Sequence, residues 1–178
     1  VSLVAMLLFS ITGITLNHAG SIAAEPVVMN KTGQLSVSLL PKTPVADAPL
    51  PPAVAAAVER AVGLDPATRP AEWSDGEVYV AMPRPGGDAW VSIDRATGRI
   101  TAETTDRGWV SYLNDLHKGR NAGAAWFWFI DIFAAACILF TLTGLLLLQF
   151  HARRRPMTWP IVAAGLATPI VIAVLFVH

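Results

Sequence analysis

The side chains best suited to chemistry in this chain are four imidazoles and one carboxylate, all tied to apolar runs. His18 closes the run LFSITGITLNH and His151 closes LFTLTGLLLLQFH; both runs carry a Thr-Gly step, at Thr12-Gly13 and Thr143-Gly144. His117 precedes the second long apolar run, His178 ends the last one, and Asp131 sits within WFWFIDIFAAACILF. An imidazole near neutral pH can ligate a metal or carry a proton. The same amphipathic ring is also comfortable at the end of a membrane helix, with no further role. A carboxylate inside an apolar helix is costly unless it is paired or faces a cavity, so Asp131 reads as a site residue or as an interhelical hydrogen-bonding group. It falls about 13 Å along a helix from Ala122 at roughly 1.5 Å per residue. Lys118, Arg120 and a nearby histidine N–H are its candidate partners. The two Thr-Gly steps also have two readings. They let helix backbones pack closely, the commoner use, or they leave space for a flat group against the helix.

Composition says what must position these residues. Of 178 residues, 53% are hydrophobic and only 15% charged, greasier than an ordinary soluble domain. The formal net charge is zero, which gives no reason to expect a nucleic-acid partner. The single cysteine, Cys137, excludes a disulfide framework. No nucleotide-binding glycine loop, HExxH or nucleophile with an attendant base is present.

Three segments read as membrane helices: 1–18, 122–151 and 158–178. A span needs roughly 20 apolar residues, and the first segment falls short. It starts in mid-run, so Val1 reads as a point inside a longer helix preceded by a basic segment. The loop 152–157 contains Arg153-Arg154-Arg155, and short arginine-rich loops stay cytoplasmic. The region from about Asn17 to Asn121 is then expected outside the cytoplasm, most simply in a bacterial periplasm, which makes the chain a multi-pass inner-membrane protein. Trp126 and Trp128 at the outer end, and Trp159 at the inner end, suit interfacial anchoring. By this orientation His18, His117 and His178 emerge on the outer side and His151 alone on the inner side.

Between the first two spans, residues 35–39 alternate with period two and predict a strand. An alanine-rich helix is predicted over 53–62, with Pro51 and Pro52 at its start and Gly63 at its end. Strands are predicted at 77–82, 89–93 and 99–103, joined by turns at 83–88 and 94–98. The result is a small α+β domain over 19–107. Trp109, Leu113 and Leu116 share a helical face, so 108–121 is expected to form an interfacial helix and connector lying on the outer membrane surface.

The stretch VYVAMPRPGGDAWVSIDRATGRITAE resembles a PepSY domain, whose hallmark is a strand ending in an Asp-x-x-Thr-Gly turn, here Asp94, Thr97 and Gly98. With Tyr112-Leu113-Asn114-Asp115-Leu116-His117-Lys118-Gly119, a tryptophan-flanked helix carrying Asp131, and Thr143-Gly144, the chain resembles the PepSY-associated transmembrane proteins over nearly its whole length. The fold class expected is therefore a membrane α-helical protein of three transmembrane helices with a small α+β PepSY-like extracytoplasmic domain.

Some relatives in that group are haem-containing reductases of ferric siderophores; others have no assigned activity. The resemblance implies a b-type haem held by His18 and His117, the tentative iron ligands, with His178 in reserve. His151 would need a partner from outside this chain. Asp131 would orient a ligating imidazole, and Gly13 and Gly144 would face the macrocycle. The implied role is electron transfer in reduction of ferric siderophores during iron uptake, as a reductase or a subunit of one. Its partners would be the lipid bilayer, a quinol or electron-donor protein, and a ferric siderophore. The alternative is a non-enzymatic PepSY accessory or regulatory protein that binds a periplasmic partner or peptide. The reductase relatives usually carry a further span and a basic, histidine-bearing segment before the first helix, and neither is seen here.

Overall fold

A period-two alternation with one buried face builds the central sheet of this protein. In a computed structural model, which describes residues 2–22, 25–41, 48–151 and 155–177, Val78, Val80, Val91, Ile93 and Ile100 are fully buried along three adjacent strands. The strands are β1 (Val27–Gln34), β2 (Glu72–Trp73), β3 (Glu77–Ala81), β4 (Gly87–Asp94) and β5 (Arg99–Asp106). They form one antiparallel sheet in the order β1-β5-β4-β3-β2. Helix α2 (Pro52–Val62) lays Val54, Ala55, Val58 and Val62 on the apolar face. It begins with Pro at its first turn and ends on Gly63 in the left-handed conformation, whose N–H returns to Glu59. Each fully buried valine or isoleucine contributes about 1.5–3 kcal/mol.

The strand expected over residues 35–39 is not one. Residues Val37–Leu39 form a 3-10 turn, and the edge strand is β1, just upstream. The alternation there has no common buried face: Leu35 is buried, whereas Val37 and Leu39 are exposed. In β1 itself nearly every residue is exposed, so an apolar pattern has nothing to report. Strand β3 matches its expected span to within one residue, β4 starts two residues earlier than expected, β5 runs on to Asp106, and the short β2 was not expected.

The Asp-x-x-Thr-Gly turn between β4 and β5 is a hydrogen-bonded knot. Asp94 Oδ1 accepts from the N–H groups of Ala96 and Thr97 at 3.0 and 2.7 Å and from the Thr97 hydroxyl at 2.9 Å. These bonds, the Thr97 N–H foremost, hold the Asp94 carboxyl below its ordinary range. Gly98 has φ of 73°, and a side chain there would collide with the Leu35 carbonyl. Its own carbonyl accepts the Leu35 N–H at 2.9 Å, so the turn also fixes the end of β1.

Helix α1 (Ser2–Asn17) precedes the sheet; α3 (Gly108–Lys118), α4 (Gly123–His151) and α5 (Thr158–Phe176) follow it. Among the described residues, two helices, α4 and α5, are long and apolar enough to cross a membrane, while α1 is a shorter apolar helix. The chain divides into two units, residues 1–130 and 131–178, with the boundary inside α4. His178 and residues 152–154 of the basic loop lie outside the described residues.

Candidate functional site

Two polar pairs, each spaced i, i+3, meet where α3 packs on α1. On α1 they are Thr12 and Thr15; on α3 they are Asn114 and His117. Positions three apart share a helix face, and the helices run antiparallel, so Thr12 meets His117 while Thr15 meets Asn114. The Thr12 Oγ1 to His117 Nδ1 distance is 2.8 Å. Thr15 Oγ1 donates toward Asn114 Oδ1 at 3.1 Å and shares its proton with the Thr12 carbonyl at 2.9 Å.

Thr12 Oγ1 also lies 2.9 Å from the Leu8 carbonyl and 3.2 Å from that of Phe9. If its proton stays on the helix, the ring donates its Nδ1–H; if the hydroxyl turns, Nδ1 accepts. Either tautomer makes the contact. The Cε1–Nε2 edge of the ring faces Gly13: a Cβ there would stand 3.4 Å from Cε1 and 3.9 Å from Nε2. Phe9 covers the ring, with centroids 5.3 Å apart.

The rest of α3 ties this contact to the sheet domain. Asp115, 7% exposed, accepts the Gly86 N–H on Oδ2 at 2.9 Å. Gly86 has φ of 72°, and any Cβ would fall 2.8 Å from Tyr112 Cα, so the β3–β4 turn seats directly on the helix. The Gly86 carbonyl accepts the Arg107 N–H at 2.8 Å, and the Arg107 guanidinium reaches Asp88 at 2.6 Å. That ion pair is well exposed and adds about 0–1 kcal/mol. At the other end of α3, the Trp126 indole N–H donates to the Leu116 carbonyl at 2.8 Å.

These contacts revise the expected membrane-facing stripe of α3. Leu113 and Leu116 line the packing against Leu8, Phe9, Thr12 and Trp126, and only Trp109, 75% exposed, is left open. Asn114 and Asp115 are the most buried residues of the helix, because each has a polar partner on a neighbouring element.

His18 is exposed and donates Nδ1–H to the Ile14 carbonyl at 3.0 Å. It lies just past the end of α1, six residues beyond Thr12 and about 9 Å further along the helix direction. His151 makes the same local bond, to the Leu147 carbonyl at 2.9 Å. Asp131 is exposed on α4 at the start of the second unit. Thr143 bonds back to Leu139 and Phe140 at 3.0 and 2.9 Å, and a Cβ at Gly144 would meet no described atom within 4 Å.

Between α1 and α3 themselves, the packing leaves no room for a haem beside His117. The space beside His117, bounded by Leu8, Thr12, Leu116 and Trp126, is about 10 Å³, no more than one water needs. Cofactor pockets run to roughly 300–1,000 Å³.

Sequence reasoning singled out Gly13 and His117 but not Thr12 as the partner of His117, nor Thr15, Asp115 and Gly86. The available signal was the pair of threonines three apart in an otherwise apolar helix. Compared with known families, residues 1–178 match the family described as "Putative PepSY_TM-like". No curated protein and no solved structure matches the chain.

Proposed function

We propose that the chain, which belongs to the PepSY_TM-like family over its whole length, is a non-enzymatic accessory module. Its PepSY-like domain stands on the outer face of a bacterial inner membrane and binds a periplasmic partner or peptide. The carrying observation is the contact of His117 with Thr12 and Gly13. The imidazole that a haem would need is used to hold α3 on α1, and Asp115 on the same helix bonds Gly86 of the sheet domain. The sheet offers its other face for binding, where Tyr79 and Trp90 stack with centroids 6.0 Å apart.

A haem-dependent role in ferric-siderophore reduction, supplied with electrons by a quinol or a donor protein, makes the opposite demand on His117. The visible spectrum of the full-length protein, expressed with ample haem and purified in detergent, separates the two. A colourless preparation supports the accessory module. A stoichiometric Soret band that disappears in His117→Ala overturns it.

A further inference from the structure

A second site opens where the β3–β4 turn meets the start of α3. Arg84, Gly86, Asp106, Gly108, Trp109 and Tyr112 border an open cleft of about 490 Å³. The rings of Trp109 and Tyr112 meet edge to face, with centroids 5.6 Å apart and planes at 88°, and they are 75% and 39% exposed. Asp106 accepts the Gly108 N–H on Oδ1 at 2.8 Å. Among the described residues, neither its Oδ2 nor the Arg84 guanidinium has a hydrogen-bond or ion-pair partner. The cleft therefore joins one cation, one anion and an amphipathic aromatic wall.

The depth of the cleft follows from the register of α3 on α1. His117 is level with Thr12 and Asn114 with Thr15. Trp109, eight residues before His117, then lies about 12 Å further out, while Asn17, at the end of α1, lies about 7.5 Å beyond Thr12. The aromatic wall is thus about 4–5 Å past the last turn of α1, where the apolar run gives way to Asn17 and His18. Headgroup layers are roughly 5–7 Å thick on each side of the hydrocarbon, and tryptophan and tyrosine favour that layer.

We propose that this cleft binds the headgroup of one zwitterionic amino phospholipid. Arg84 takes the phosphate, Asp106 Oδ2 takes the ammonium, and Trp109 and Tyr112 pack on the glycerol and upper acyl carbons. Lipid phosphate recognition by a basic side chain at the interface supplies the anionic half of this chemistry. The site rests on the reading of α1 as a membrane segment and is independent of whether His117 meets a haem.

Native mass spectrometry of the delipidated full-length protein tests it, with titration by phosphatidylethanolamine, phosphatidylglycerol and soluble glycerophosphoethanolamine. Wild type should retain one phosphatidylethanolamine. Arg84→Gln should weaken both lipids at least fivefold. Asp106→Asn keeps the acceptor for Gly108 and removes the charge, so it should weaken phosphatidylethanolamine at least fivefold and leave phosphatidylglycerol unchanged. Both positions are surface-facing, and unchanged thermal unfolding of the variants verifies the fold. Equal lipid retention by wild type and both variants, or equal affinity for glycerophosphoethanolamine and the lipid, would overturn the proposal. A haem found in the same preparation bears on the accessory-module reading alone.

Discussion

Thr12 Oγ1 and His117 Nδ1 lie 2.8 Å apart across 105 residues of sequence. This bond joins an apolar helix at the start of the chain to the helix that follows the sheet. An imidazole placed there has a partner on one ring nitrogen and glycine backbone along the opposite edge. Its role is to set the distance between α1 and α3.

Size at residue 13 should therefore matter more than the loss of glycine itself. Gly13→Ala introduces only an ordinary contact with the ring, 3.4 Å from Cε1, and replaces a glycine within a helix, a change that favours the fold by about 0.5–1 kcal/mol. Gly13→Leu must displace the ring and cost about 1–3 kcal/mol. Thermal unfolding of both variants in one detergent should place them on opposite sides of wild type.

The seat of the sheet domain on α3 should be more sensitive still. Gly86→Ala combines φ of 72° with a Cβ 2.8 Å from Tyr112 Cα and should destabilise by at least about 2 kcal/mol. Asp115→Ala leaves the Gly86 N–H without its buried acceptor, a loss of about 1–3 kcal/mol. Asp115→Asn keeps an acceptor oxygen and should fall between that variant and wild type in denaturant unfolding.

Acid should loosen the domain at the Asp94 turn. The Asp94 carboxyl is held below its ordinary value of 3.8 by the bonds from Thr97, Ala96 and the nearby Arg99 charge. Its contribution is complete above that value. As pH falls, the unfolded chain takes up the proton first, and the contribution is lost as pH passes through the lower folded value. Unfolding midpoints measured from about pH 5 to pH 2 should fall less steeply in Asp94→Asn than in wild type.

How much of this was visible in sequence depends on whether a neighbour was local. Val78 and Val80, and Val91 and Ile93, alternate because one face of each strand is buried, so those strands could be read directly. Pro52 and Gly63 bracket α2 by their own backbone preferences. Strand β1 could not be read, since an edge strand with almost every side chain exposed needs no apolar alternation. The contact of α1 with α3 was half legible. Thr12, Gly13 and His117 each stood out, but pairing Thr12 with His117 and Thr15 with Asn114 requires the sheet to bring the two helices together. Leu113 and Leu116 misled for the same reason: a helix face that suits a bilayer suits another apolar helix equally well.

The most direct test of the Thr12–His117 contact is a double-mutant cycle between the two residues. Thr12→Val removes the hydroxyl with little change of shape, and His117→Phe removes both ring nitrogens while keeping an aromatic ring beside Phe9. Unfolding free energies of wild type, both single variants and the double variant, measured in one detergent, give the coupling. The expected coupling is about 0.5–1.5 kcal/mol, the size of a hydrogen bond within the fold. Strictly additive variants, with zero coupling within error, would contradict it.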